Sequence, residues 1–116
     1  MDSKQRGHDA EFEPGVAAAI AMHFGGDAAL YQAFAATCAA QFALDAVAGQ
    51  LACEVGDLSG LRRLSHNLKS ALIVLGHDDV SELAARVEEQ ASVGDLRSAC
   101  ASWRSLHAAM LLLKTP

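Results

Sequence analysis

Proline, aromatic residues and closely spaced cysteines are all scarce in this chain. Its two prolines, Pro14 and Pro116, lie near the ends. The interior is therefore free of the residue that breaks helices most strongly. One tryptophan, one tyrosine and four phenylalanines are few for a β-sheet core, which draws on aromatic and β-branched residues. The three cysteines, Cys38, Cys53 and Cys100, include no C-x-x-C spacing of the kind that holds a metal. Their odd number excludes a complete disulfide framework. They read as free thiols packed as small apolar groups, and a reducing cytoplasm fits that reading. No segment is apolar and long enough to cross a bilayer, and the opening MDSKQRGHDAEFE lacks the apolar run of a signal peptide. Basic residues number nine against fourteen acidic ones, a net charge of −5 that argues against sequence-independent nucleic-acid binding. Nor is there a glycine-rich phosphate loop, so ATP binding is not expected.

Alanine, the best helix former, supplies about a fifth of the 116 residues, a length that suits one domain around one core. Residues 1–12 are polar and aperiodic and read as a flexible tail; Met1 and this tail favour a free-standing protein. The domain then occupies 13–116. A short helix starts at Pro14 and carries Val16, Ile20 and Phe24 at spacings of four. Gly25-Gly26 ends it, and Asp27 is placed to cap a long helix running to Val55. In that helix Leu30, Phe34, Cys38 and Phe42 form one apolar row, and Leu44, Leu51 and Val55 form another displaced around the axis. The two halves should therefore touch different neighbours, with the short helix covering one.

Val55-Gly56-Asp57-Leu58 and Val93-Gly94-Asp95-Leu96 each combine a glycine suited to a left-handed helix end with an aspartate suited to cap the next helix. Gly76-His77-Asp78-Asp79 is a third tight connection, and Asp79 with Glu82 has capping-box spacing. The next helix, about 79–92, should turn Val80, Leu83, Ala84, Val87 and Ala91 inward. The last, about 95–113, should bury Leu96, Cys100 or Ala99, Trp103, Leu106, Met110 and Leu113. Short connections make sequential helices antiparallel neighbours. The expected fold is all-α: an antiparallel up-down-up-down four-helix bundle with a short additional N-terminal helix.

The stretch LRRLSHNLKSALIVLG, residues 61–76, has a different character. At about 100° per residue, Leu61, Leu64, Leu68, Leu72 and Leu75 fall within roughly 40° of one direction. His66 points about 160° away, toward water. Arg62, Arg63, Lys69, Ser70 and Ile73 share its outward face at spacings that bring helix side chains together. Three of the nine basic residues thus surround one histidine in an acidic protein, which suggests an acidic or phosphorylated partner. His66 with His77 lacks the further ligands a metal site needs, so no metal is expected.

The segment His66-Asn67-Leu68-Lys69-Ser70-Ala71, with Gly76 ten residues after the histidine, resembles the histidine-containing phosphotransfer (HPt) domain family. That family's motif is His-x-Leu-Lys followed by Gly or Ser, then an apolar run closed by Gly. The resemblance covers about residues 13–114, including the long preceding helix, the Gly-Asp turns and Glu88-Glu89. It implies that His66 accepts a phosphoryl group from the aspartyl phosphate of a response-regulator receiver domain and passes it to another receiver. It implies a hybrid histidine kinase as a further partner, and Mg²⁺ brought by the receiver, with no cofactor bound by this chain. Lys69 would stabilise the phosphoryl oxygens. Arg62, Arg63, Ser70 and Ile73 would meet the partner, and Glu88 would orient the imidazole. Ser70 stands where the family most often has glycine. The chain would be a phosphorylated module and not an autonomous kinase or ATPase. Histidine kinases usually place an acidic residue after the histidine in a dimerising hairpin, whereas Asn67 follows here and four helices suffice for a monomer, which is expected; the charge and the lack of an apolar span give no expectation of nucleic-acid or membrane partners. The alternative is a helical module that docks receivers without carrying phosphate.

Overall fold

The computed structural model describes residues 12–113 as five α-helices: α1 Pro14–His23, α2 Ala28–Val55, α3 Leu58–Leu75, α4 Asp78–Ser92 and α5 Leu96–Leu111. No strand occurs among the described residues. The expected tail lies outside them except for Phe12, whose ring packs edge-on against Tyr31. Residues 114–116, the end of the expected domain, lie outside them too.

The boundaries follow from local chemistry. Asp27, Asp57 and Asp95 each accept a hydrogen bond from a backbone N–H three residues on, at 3.0, 2.8 and 3.1 Å, so each satisfies an orphan donor at a helix start. Gly56 and Gly76 close α2 and α3 with φ of 75° and 87°, values that L side chains resist. Gly76 has a second constraint. A Cβ there would strike the Gly15 carbonyl oxygen, so the start of α1 rests directly on the end of α3. The capping box expected of Asp79 and Glu82 does not form. Helix α4 begins at Asp78 with His77 in the cap position and no side-chain cap. Asp78 and Asp79 occupy the first turn, where negative charge suits the helix dipole.

Helix α3 packs on α1, α2 and α4, α4 on α5, and α5 returns to α2. Two apolar clusters fill the space between them. One joins Leu61, Leu68 and Leu72 to Ala84, Val87, Trp103 and Leu106. The other joins Val16 and Ile20 of α1 to Tyr31, Ala35, Cys38 and Leu75. The halves of α2 therefore do serve different neighbours, with α1 covering the first. The leucine row of α3 is buried as expected, apart from the half-buried Leu64, and so are Ala84, Val87, Ala91, Trp103, Leu106 and Met110. Val80, Leu83 and Leu113 are half-buried, and Leu96 sits at the exposed rim.

The expected inner rows of α2 need correction. Leu30, Phe34, Leu44, Leu51 and Val55 are all exposed. The buried side is instead Tyr31, Ala35, Cys38, Gly49 and Ala52, with Phe42 half-buried. The reason is close approach. The Trp103 ring occupies the space a Cβ on Gly49 would take, so α2 turns its smallest residues toward α5. Tyr31 combines apolar contact with a hydroxyl that donates to the Leu75 carbonyl at 2.8 Å. Burial pushes its phenol pKa up.

The cysteines need a second correction. Cys53 and Cys100 form a disulfide joining α2 to α5, with Cα atoms 5.8 Å apart. A separation of 47 residues carries no local spacing signal; helix packing brings the two together. Only Cys38 remains a free, buried thiol, and burial raises its pKa.

Candidate phosphotransfer site

Helix α3 buries Leu61, Ser65, Leu68, Leu72 and Leu75, which fixes its rotation. Ser65 is inside because its hydroxyl donates to the Leu61 carbonyl at 2.8 Å and leaves no unsatisfied group. With that face inward, His66 turns outward, its side chain 57% exposed. Val87 likewise sets α4, and the adjacent Glu88 comes to the edge facing α3.

Glu88 joins two side chains of α3. Its Oε1 accepts from Lys69 Nζ at 2.7 Å. Its Oε2 lies 3.0 Å from His66 Nδ1. The Lys69 hydrogen bond, and then that of His66, hold the Glu88 carboxyl below its ordinary 4.5 against the opposing effect of burial. Glu88 is thus ionised near neutral pH and only accepts hydrogen bonds. The proton in its contact with a neutral His66 must lie on Nδ1. The lone pair is then on Nε2, the other ring nitrogen.

Lys69 is therefore engaged within the protein rather than extended freely beside the imidazole. Arg62 and Arg63 are exposed on the same helix. Ile73, 46% exposed two turns after His66, is an apolar spot on an otherwise polar face. The Ser70 hydroxyl donates to the His66 carbonyl at 3.3 Å, a weak bond that leaves it accessible. His77 lies apart, at the start of α4, where burial lowers its pKa. Among the described residues no group of three or more His, Cys, Asp or Glu side chains could hold a metal ion.

The outward face of the helix and the family motif together named His66, Arg62, Arg63, Lys69, Ser70, Ile73 and Glu88, but neither gave the Lys69–Glu88 pair. The available signal was that both flank core positions, Leu68 and Val87, on helices expected to be neighbours. An exposed imidazole with one nitrogen anchored by a carboxylate and the other carrying a free lone pair is a nucleophile aimed at solvent.

A family model for the Hpt domain matches residues 29–114, which takes in almost all of α2 and the whole of α3, α4 and α5. The chain belongs to the Hpt domain family. Membership gives this HPt chain a phosphotransfer role in phosphorelays, where such domains work with receiver domains. No match was found among curated proteins or among solved structures. The matched span includes every site residue named above and leaves out α1. Among the described residues, no helix is long and apolar enough to cross a membrane.

Proposed function

We propose that His66 Nε2 is the phosphoryl acceptor and donor of a His-Asp relay. The carrying observation is the 3.0 Å contact between His66 Nδ1 and Glu88, which supports a lone pair on the exposed nitrogen. Nε2 attacks the phosphorus of a receiver's aspartyl phosphate. The P–N bond forms, the P–O bond breaks and the aspartate leaves as a carboxylate. The ring keeps its Nδ1 proton and acquires positive charge, which the Glu88 carboxylate faces. The arrangement follows the logic by which a buried aspartate supports the histidine of a hydrolytic triad. Reversal toward a second receiver uses the same atoms.

Lys69 has two tasks in this reading. It offsets the negative charge of Glu88, which alone would favour a protonated and unreactive ring. From one turn away it also adds positive potential for the phosphoryl oxygens. Arg62 and Arg63 attract the acidic partner, Ile73 supplies apolar docking contact, and the small Ser70 permits close approach. The receiver brings the Mg²⁺, and a hybrid histidine kinase stands upstream. The chain has no autonomous kinase or ATPase activity. The four longer helices form an antiparallel up-down-up-down bundle that presents His66, with α1 appended. A cytoplasmic location goes with this relay; there the Cys53–Cys100 pair meets a reducing thiol pool.

Incubation with a phosphorylated receiver tests the proposal. The expected product is an acid-labile, base-stable phosphoryl group on the chain, absent in His66→Gln. Label that persists in His66→Gln would overturn the site. Receiver binding without any transfer would establish the docking-only alternative.

A further inference from the structure

Helix α2 leaves an apolar face in solvent along its whole length. Leu44, Val47, Leu51 and Val55 are each more than half exposed. On a helical projection they lie within about 40° of the Leu51 direction. Ala29, Ala33, Thr37 and Ala40, also exposed, continue the same face toward the N-terminus. The 28-residue helix carries only two charges, Asp45 and Glu54. Asp45 points about 120° from Leu51, and Glu54 stands at the edge, about 60° away. Packing among the described residues does not require this face, because the opposite side of α2 already holds the core contacts of Tyr31, Gly49 and Ala52.

The face is graded, with small residues in its first half and large ones in its second. Such a gradient is complementary to itself when reversed. An antiparallel copy places Ala29 against Val55, Ala33 against Leu51, Thr37 against Val47 and Ala40 against Leu44. Every large side chain then meets a small one, as interdigitating layers require. A parallel copy would set Leu51 against Leu51 and leave the alanine halves apart.

We infer that two copies of this chain pair through the outer faces of their α2 helices, antiparallel and two-fold symmetric. The contact is isologous, the commonest symmetry of soluble oligomers. At 1.5 Å per residue α2 is about 42 Å long; the third of a cylinder of that length and about 10 Å diameter that lies between the polar edges has an area on the order of 440 Å². Two copies would bury about 900 Å² in all, the size of a weak, reversible pair rather than of a standard specific interface. The dimer leaves phosphotransfer geometry open. His66 and Glu88 meet between α3 and α4, and α4 lies across the bundle from α2. The two histidines therefore face outward on opposite sides of the pair, each free for a receiver. Four helices close the core of one chain, but they leave this side of α2 apolar, and the expectation of a monomer took no account of it.

Sedimentation velocity of the full chain with its Cys53–Cys100 bridge intact, and non-reducing gel electrophoresis to exclude intermolecular disulfides, is the test. The wild type should sediment as a dimer at tens of micromolar. Leu51→Glu and Ala33→Lys should each raise the dissociation constant at least tenfold while the helical circular dichroism stays unchanged. The double variant Ala33→Lys/Leu51→Glu brings opposite charges together twice in the antiparallel register and should recover dimerisation. A wild type that remains monomeric at about 1 mM overturns the proposal. So does a dimer insensitive to Leu51→Glu. Failure of the double variant to recover overturns the antiparallel register.

Discussion

Glu88 carries more of the site's organisation than any other side chain, because both His66 and Lys69 close on it. Two substitutions separate its roles. Glu88→Gln keeps an oxygen able to accept from Nδ1–H but removes the charge, and should slow transfer from a phosphorylated receiver severalfold. Glu88→Ala removes the acceptor as well and releases the tautomer; a loss of about tenfold or more is expected, in line with the cost of removing groups that orient a reactive histidine. Rapid-quench measurement of transfer distinguishes them, and equal rates in all three proteins would remove Glu88 from the mechanism. The same residue carries a pH signature. Its folded carboxyl titrates below the ordinary 4.5, chiefly through the Lys69 hydrogen bond. A depressed carboxyl contributes stability that is present above the unfolded value and lost as pH falls through the folded one. The stability gap between wild type and Lys69→Met should therefore be open at pH 7 and shrink below pH 4.5 in denaturant titrations.

At the scale of the helix, what sequence reveals depends on how far the deciding contact lies along the chain. Asp27, Asp57 and Asp95 act within three residues of themselves, and their caps were legible. The leucine row of α3 was equally plain, because five large residues on one side outweigh every alternative rotation. That row in turn fixed the outward direction of His66. Helix α2 was not legible by the same rule. Leu30, Phe34, Leu44, Leu51 and Val55 face water, while Gly49 faces Trp103, 54 positions later in the chain. Periodicity weighs side chains by size and cannot see a helix that buries small residues in order to approach a partner closely. Gly49→Ala should then be costly even though alanine is the better helix former: about 1–3 kcal/mol from overpacking against the indole, set against a propensity gain of roughly 1 kcal/mol. Thermal melts should show the variant less stable than wild type, and Ala48→Gly, on the exposed side, should show only the propensity loss. A more stable Gly49→Ala would mean that Trp103 does not seat where α2 makes room for it.

For the whole molecule, the question is what fastens the long helix to the rest. Near the C-terminus of α2 the Gly49–Trp103 contact and, one turn on, the Cys53–Cys100 bridge attach it to α5. The bridge spans 47 residues and encloses all of α3 and α4, hence the site. In the chain-entropy description a loop of that size contributes about 4 kcal/mol, by restricting the unfolded chain more than by strengthening the folded one. Reduction should therefore lower the melting temperature by about 10 °C or more, since about 1 kcal/mol shifts a domain of this size by roughly 4–8 °C. The site should survive at ambient temperature, because Leu68, Val87 and the Lys69–Glu88–His66 contacts hold α3 to α4 without the bridge. Cys53→Ser supplies the control: its melting temperature should match that of the reduced wild type and be indifferent to reductant, while its rate of phosphoryl uptake equals that of the oxidised protein. A melting temperature unaffected by reductant in the wild type would show that the two sulfurs are neighbours without being bonded, and the Gly49–Trp103 contact would then be the fastening of α2 to α5 in that region.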